Sequence, residues 1–372
     1  MNIRSRITII IVIIVTISVT SMVAYQQTMQ VLPRENAQIT SVPLDLEHAK
    51  LFSVSYVGEN KILVDGANRT IILTPVAGVN LDKDIQIPVN RMVIFSSTHA
   101  ALIDRLGIVD RIVVVAWGGN YEWYINTIKD GLENGRIKDI GSSNSPNYDE
   151  IVSLEPDLVV LVGGIGLWEE QAKKLDELGI DYVVNSEWLE DDPLGYFEWI
   201  KFFSLFTNDE DKASAIFTEA KTKTLEISQS VSKLDKPDVL WAAVFRGTVY
   251  VPKAESYAGK IINMANGNYI FSDVAGTGSA QISLEELISR AGDADVLIYS
   301  GGVVNSTSEI LAASPLLKEL HPIQTCNVYA FQPWYWQRVD EVEDYMNDMA
   351  AILHPDEFKT YELKQFKKVA CD

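Results

Sequence analysis

The chain has 372 residues, 47% of them apolar, which is enough for two or three domains with substantial cores and excludes a disordered protein. Its 31 Lys and Arg against 51 Asp and Glu leave a formal charge of −20, which excludes sequence-independent binding to nucleic acid or anionic membrane through the bulk of the surface. The two cysteines, Cys326 and Cys371, form neither a CxxC pair nor a dense disulfide pattern, so their pairing stays open.

Residues 1–24 read as a transmembrane or signal segment. Arg4 and Arg6 precede an uncharged run from Ile7 to Val23, whose 17 residues fit a spanning anchor or the core of a cleaved signal peptide. The N-terminal arginines hold that end in the cytoplasm, so the chain from about Tyr25 onward is expected outside the membrane. Met22 stands where cleavage wants a small residue, which favours an uncleaved anchor, and no cysteine follows the run to take a lipid. Residues 25–45, polar and carrying Pro33 and Pro43, read as a linker.

Over 46–90 the stretches 52–57, 61–65 and 70–73 read as short strands. An α/β lobe over 91–191 opens with a strand at 93–95, a loop and cap at 96–98, and a helix from His99 to Leu106 stopped by Gly107. Further strands follow at 112–116, 158–162 and 182–184, with a helix around 169–178. Residues 192–235 read as connecting helices: one from Pro193 with Tyr196, Trp199, Ile200, Phe203 and Phe206 as its buried face, then a break at Thr207-Asn208. The second helix, 209–234, would span about 39 Å at 1.5 Å per residue and serve as a rigid strut. A second lobe over 236–372 contains strands at 239–245, 295–300 and 327–330, and helices at 258–265 and 341–353.

One unit occurs twice. Asn147 with Glu150 has the form of a capping box; Glu155-Pro156 ends the helix, the apolar run 158–162 reads as a strand buried on both faces, and Gly163-Gly164 follows. Ser283, Glu286, the strand 295–300 and Gly301-Gly302 repeat the order. The fold class expected is therefore α/β, with two Rossmann-like lobes joined by a long rigid helix.

The chemistry is less explicit. The histidines His48, His99, His321 and His354 show no HxxxH or HxxE spacing, so no metal site is predicted. No GxGxxG, GKS/GKT or GxSxG element appears either, so no cofactor and no catalytic residue is assigned, and the chain is not read as an enzyme. Aromatic residues in loops after strands are the informative feature, because open α/β sheets bind ligands at that edge. The candidate ligand contacts are His99, Trp117, Tyr121, Trp123, Trp168, Arg246, Tyr250, Trp334, Tyr335 and Trp336. Arg246, beside Gly247 after a strand, would pair with a carboxylate or phosphate on the ligand. Trp199 and Trp241 are assigned to the core.

From Lys61 to the C-terminus the chain resembles the substrate-binding proteins of ABC importers for iron-siderophore complexes, haem and cobalamin. The resemblance rests on residues 88–93, 106–113, 147–151 with 154–159, 266–271 and 350–355, in that order and spacing. It implies two lobes with a single connecting helix that limits hinge motion, and a metal chelate held in the cleft between them. It also implies capture outside the membrane and delivery to a permease with a cytoplasmic ATPase. Acidic residues on each lobe meet permease arginines in that family; the motif places them on Asp149 and Glu285, each two residues after a helix cap. Asp149 is one methylene shorter than the glutamate common there. A ferric siderophore is the leading expectation, with cobalamin or haem as alternatives, and an anchored sensory module as a third reading that needs no permease.

Overall fold

A computed structural model describes residues 44–76, 84–117, 121–164 and 167–372. The N-terminal apolar segment and nearly all of the linker therefore lie outside the described residues. Among the described residues, no helix is long and apolar enough to cross a membrane.

The first strands, β1 (Ser53–Val57), β2 (Asn60–Val64), β3 (Thr70–Thr74) and β4 (Asp84–Gln86), form a sheet in that order. β2 alternates half-buried and buried residues, the period-two signature of a sheet with one face on a core. β4, which the sequence reading missed, joins β3 in parallel.

The second sheet holds β5 (Met92–Ile94), β6 (Ile112–Val115), β7 (Lys138–Asp139), β8 (Leu158–Val162) and β9 (Tyr182–Asn185) in the order β7-β6-β5-β8-β9, all parallel. The strands are apolar without alternation because both faces are covered. Met92, Ile94, Leu158 and Val160 face one core, while Val93, Val159 and Leu161 face another. The connecting helices are α1 (Ser97–Leu106), α2 (Asn126–Glu133), α3 (Tyr148–Ser153) and α4 (Trp168–Leu178).

The expected helix at 193–206 is two shorter ones, α5 (Pro193–Glu198) and α6 (Ile200–Ser204), which meet at Trp199. Bonds from Trp199 N to Tyr196 O and from Phe202 N to Trp199 O span three residues instead of four and tighten the chain there. Phe197, Trp199, Phe202 and Phe203 are all fully buried. The helix α7 (Glu210–Val231) follows; its 22 residues give about 33 Å.

The third sheet is built from β10 (Asp238–Phe245), β11 (Thr248–Pro252), β12 (Asn268–Tyr269), β13 (Ser279–Ile282), β14 (Val296–Tyr299), β15 (Val328–Phe331) and β16 (Phe366–Lys368). Its order is β13-β11-β10-β14-β15-β16, with β12 on β10, and β10, β14 and β15 run parallel. The helices are α8 (Tyr257–Met264), α9 (Leu284–Ala291), α10 (Thr307–Ala313), α11 (His321–Gln324) and α12 (Val342–Leu353). Cys326, just before β15, is disulfide-bonded to Cys371 after β16. Val339 and Val342 join the core of the first half, so the C-terminal stretch ties the two halves together.

A candidate ligand-binding cleft

In the second sheet the strand order turns between β5 and β8, and in the third between β10 and β14. Such switch points leave a crevice beyond the strand ends. Gly163-Gly164, at the end of β8, is close-packed: a Cβ on Gly163 would overlap Ser186, and Gly164, with φ of 76°, lies against Leu189 and Trp188. The Trp188 indole N–H donates to the Gly163 carbonyl at 2.8 Å. The glycine pair thus makes room for Ser186, Leu189 and the Trp188 ring.

Trp188 and Tyr196 from the first half face Trp241, Tyr250, Tyr257, Phe331 and Trp336 from the second across a cavity of about 440 Å³. Ala243 and Ser300, beside the β10/β14 switch point, line it together with the exposed Ser279 from β13. This volume falls in the range of small-molecule sites, roughly 300–1,000 Å³. Beneath it is a small apolar void between Tyr257, Tyr335, Tyr345 and Val342. Tyr335 stacks on Phe331 with ring centroids 3.6 Å apart, and its hydroxyl lies 3.4 Å from that of Tyr257. Burial pushes the Tyr257 phenol up to about 12 and those of Tyr196 and Tyr335 well above their ordinary value, so all three are neutral hydrogen-bonding groups.

Of the residues expected at a ligand site, Tyr250 and Trp336 line the cavity. Trp336 is 46% exposed, open at the mouth, whereas Tyr335 is buried below it. Trp334 turns elsewhere: its N–H donates to Lys364 O at 2.9 Å and its ring meets Tyr124 edge-on. It belongs to a clasp between the halves, in which the Gln337 amide accepts from Tyr124 N at 2.7 Å and donates to Glu122 O at 2.8 Å. Trp117 stacks on Tyr121, and Tyr121 meets Trp123 edge-on, as a separate cluster after β6 that packs on the first core. Trp168 is half-buried at the start of α4. Arg246 is exposed at the tip of the β10–β11 hairpin, 5.0 Å from the centroid of the Phe245 ring, outside the cavity lining.

The expectation that His99 touches the ligand is corrected, because the residue has no exposed surface. Its Nε2 lies 3.2 Å from Glu187 Oε2 and its ring packs on Phe203, which makes it part of the layer below the cleft. Burial alone would raise the Glu187 carboxyl, but the His99 charge and bonds from His99 and Thr98 hold it below its ordinary range. Trp188 was missed, although it follows β9 as Trp117 follows β6. Trp241, correctly buried, also presents an edge to the cavity.

Asp149 and Glu285 are both exposed, in the first turns of α3 and α9. Asn147 accepts from Glu150 N at 3.2 Å and Ser283 from Glu286 N at 3.1 Å, the two expected caps. Each helix leads directly into a parallel strand, β8 or β14, which puts its N-terminus at the sheet edge where the strands end. No group of three or more His, Cys, Asp or Glu placed to hold a metal occurs among the described residues.

A family profile described as periplasmic binding protein matches residues 92–334. An uncharacterized lipoprotein of Methanocaldococcus jannaschii is 32% identical over 374 aligned residues, covering 91% of this chain and 87% of that protein. Among solved structures, a periplasmic binding protein from Veillonella parvula superposes with a TM-score of 0.60 at 15% identity, over 82% of this chain and 98% of the other. A periplasmic heme binding protein from Pseudomonas aeruginosa gives 0.58 at 14%, over 72% and 93%. These two likenesses carry the fold, while the profile and the relative carry the family. The chain thus belongs to the periplasmic binding protein family.

Proposed function

We propose that this protein is the extracytoplasmic substrate-binding component of an ABC importer, which captures a metal chelate between its two halves and delivers it to a permease with a cytoplasmic ATPase. The observation that supports this reading is the aromatic-walled cavity beside the β10/β14 switch point, with walls from each half. Trp188, Tyr196, Trp241, Tyr250, Tyr257 and Trp336 are its ligand contacts, and Asp149 and Glu285 its permease contacts. A ferric siderophore is the leading ligand, with corrinoid or haem as the alternatives inside the same cavity. The helix α7 keeps the halves in fixed relation, so capture proceeds with little closure. The apolar run after Arg4 and Arg6 anchors the protein to the outer face of the membrane, or is cleaved to release it.

Titration of the purified protein with a panel of ferric siderophores, haem and cobalamin, read by quenching of tryptophan fluorescence, tests the reading. At least one member should saturate the signal without being chemically altered. Trp336→Ala should weaken that binding and leave the melting temperature nearly unchanged. Trp199→Ala, in the packed core, should cost about 3–5 kcal/mol of stability. A folded protein that answers no member of the panel would overturn the assignment.

A further inference from the structure

We infer that the cleft selects chelates carrying no net negative charge, that is, neutral or cationic metal complexes. This rests on the chelate-binding reading above and narrows it. Among the described residues, the cavity lining contains no Lys, Arg or His.

The cations close to the lining residues in sequence are not themselves part of the lining. Arg246 lies over the Phe245 ring on the exposed hairpin, and the Lys253 side chain runs along Gly276. Arg338 pairs with Glu341 at 3.2 Å and Arg105 with Glu343 at 2.9 Å. Lys364 pairs with Asp344 at 2.8 Å. Glu187, buried next to Trp188 in the chain, is paired with His99 at 3.2 Å in the layer below the wall.

The walls act in the same direction. Indole and phenol rings have electron-rich faces that attract cations, and their N–H and O–H groups are uncharged donors that supply no counter-charge to an anion. The polar atoms available are neutral. Tyr250, Tyr257, Ser279 and Ser300 contribute hydroxyl-bearing side chains to the lining. Such groups can meet the carbonyl, amide or hydroxamate oxygens of a neutral chelate one by one. A trianionic complex entering the same space would lose its hydration without gaining a counter-charge.

The test uses the full-length protein and five defined probes: a neutral ferric trihydroxamate, a cationic linear ferric trihydroxamate, cyanocobalamin, a trianionic ferric tricatecholate, and haem with its two propionates. At least one of the first three should bind about 100-fold more tightly than either of the last two, with an affinity that changes little with salt. Ser300→Lys should narrow that gap by strengthening the anionic probes, and Ser279→Lys provides the same change at an exposed position if the first variant misfolds. Tricatecholate or haem binding as tightly as the uncharged probes would overturn the charge inference and leave the importer reading standing. Lysine variants that fold and leave the gap unchanged would overturn it as well. Silence from all five probes would remove both.

Discussion

Asp340 lies between the Gln337 clasp and α12, 5% exposed, in a stretch whose neighbours Val339 and Val342 pack into the opposite half. Burial, reinforced by the nearby Glu341 charge and opposed by Arg105 and Arg338, pushes its carboxyl up to about 8. In the unfolded chain the group titrates near 3.9. Between those values the folded protein holds one proton more than the unfolded chain, so stability falls as pH rises. The contribution is complete below the unfolded value and gone above about 8. Melting temperatures between pH 4 and 9 should therefore decline with pH, and Asp340→Asn should stabilise at pH 8–9 while changing little at pH 4. Glu341 and Asp348 are also raised by burial and titrate in the same sense, so the variant reduces the slope without abolishing it. Equal slopes for both proteins would mean that Asp340 is ionised throughout.

Among the elements, the segment entering the fold is held by side chains rather than by a sheet. Glu198, fully buried, accepts from Glu47 N at 3.0 Å and from His48 N and Ala49 N at 2.7 Å each, and pairs with the buried ammonium of Lys201 at 2.6 Å. Glu190 takes the next amides, Lys50 N and Leu51 N, at 3.0 Å, together with the Trp199 indole N–H. Successive N–H groups converging on a carboxylate form an anion nest. Glu198→Gln would leave Lys201 buried without its counter-charge, at a cost of about 3–5 kcal/mol. It should also open residues 44–51 to limited proteolysis before the rest of the chain unfolds; a variant as stable and as resistant as the parent would show that the clamp is dispensable. Nothing in the sequence marks this clamp, because its partners lie about 150 positions apart and each glutamate is one acid among many. The caps at Asn147 and Ser283 were legible because cap and receiving amide are three residues apart, and the strand at 158–162 because its apolar run does not alternate. The cavity was half legible. Aromatic residues after strands picked out Trp336, and Trp188 obeys the same rule; but the rule also picked out Trp117 and Trp334, which the fold turns into packing and clasp contacts. Tyr257, at the start of α8, and Phe331, at the end of β15, reach the cavity through tertiary packing, which no local period encodes.

At the scale of the whole molecule, the proposed delivery to a permease requires the two halves to be recognised together. Asp149 and Glu285 are the contacts proposed for this, because both are exposed in the first turns of helices that precede strands of different sheets. Replacing each by alanine should leave folding and ligand affinity nearly intact, since a surface acid contributes roughly 0–1 kcal/mol. Transport, or stimulation of ATP hydrolysis by a reconstituted permease, should fall with each single change and further with both. If α7 and the Gln337 clasp keep the halves in one relation, the two acids engage as a bivalent pair, and loss of the second costs more than loss of the first. Lysine at either position should do more harm than alanine, because it sets like charges against the permease arginines. The shorter reach of Asp149 adds a check of geometry: Asp149→Glu should preserve or improve coupling if the contact is a direct ion pair. A double alanine variant that transports at the parental rate would remove the docking role from these acids while leaving the ligand site untouched, because neither residue lines the cavity.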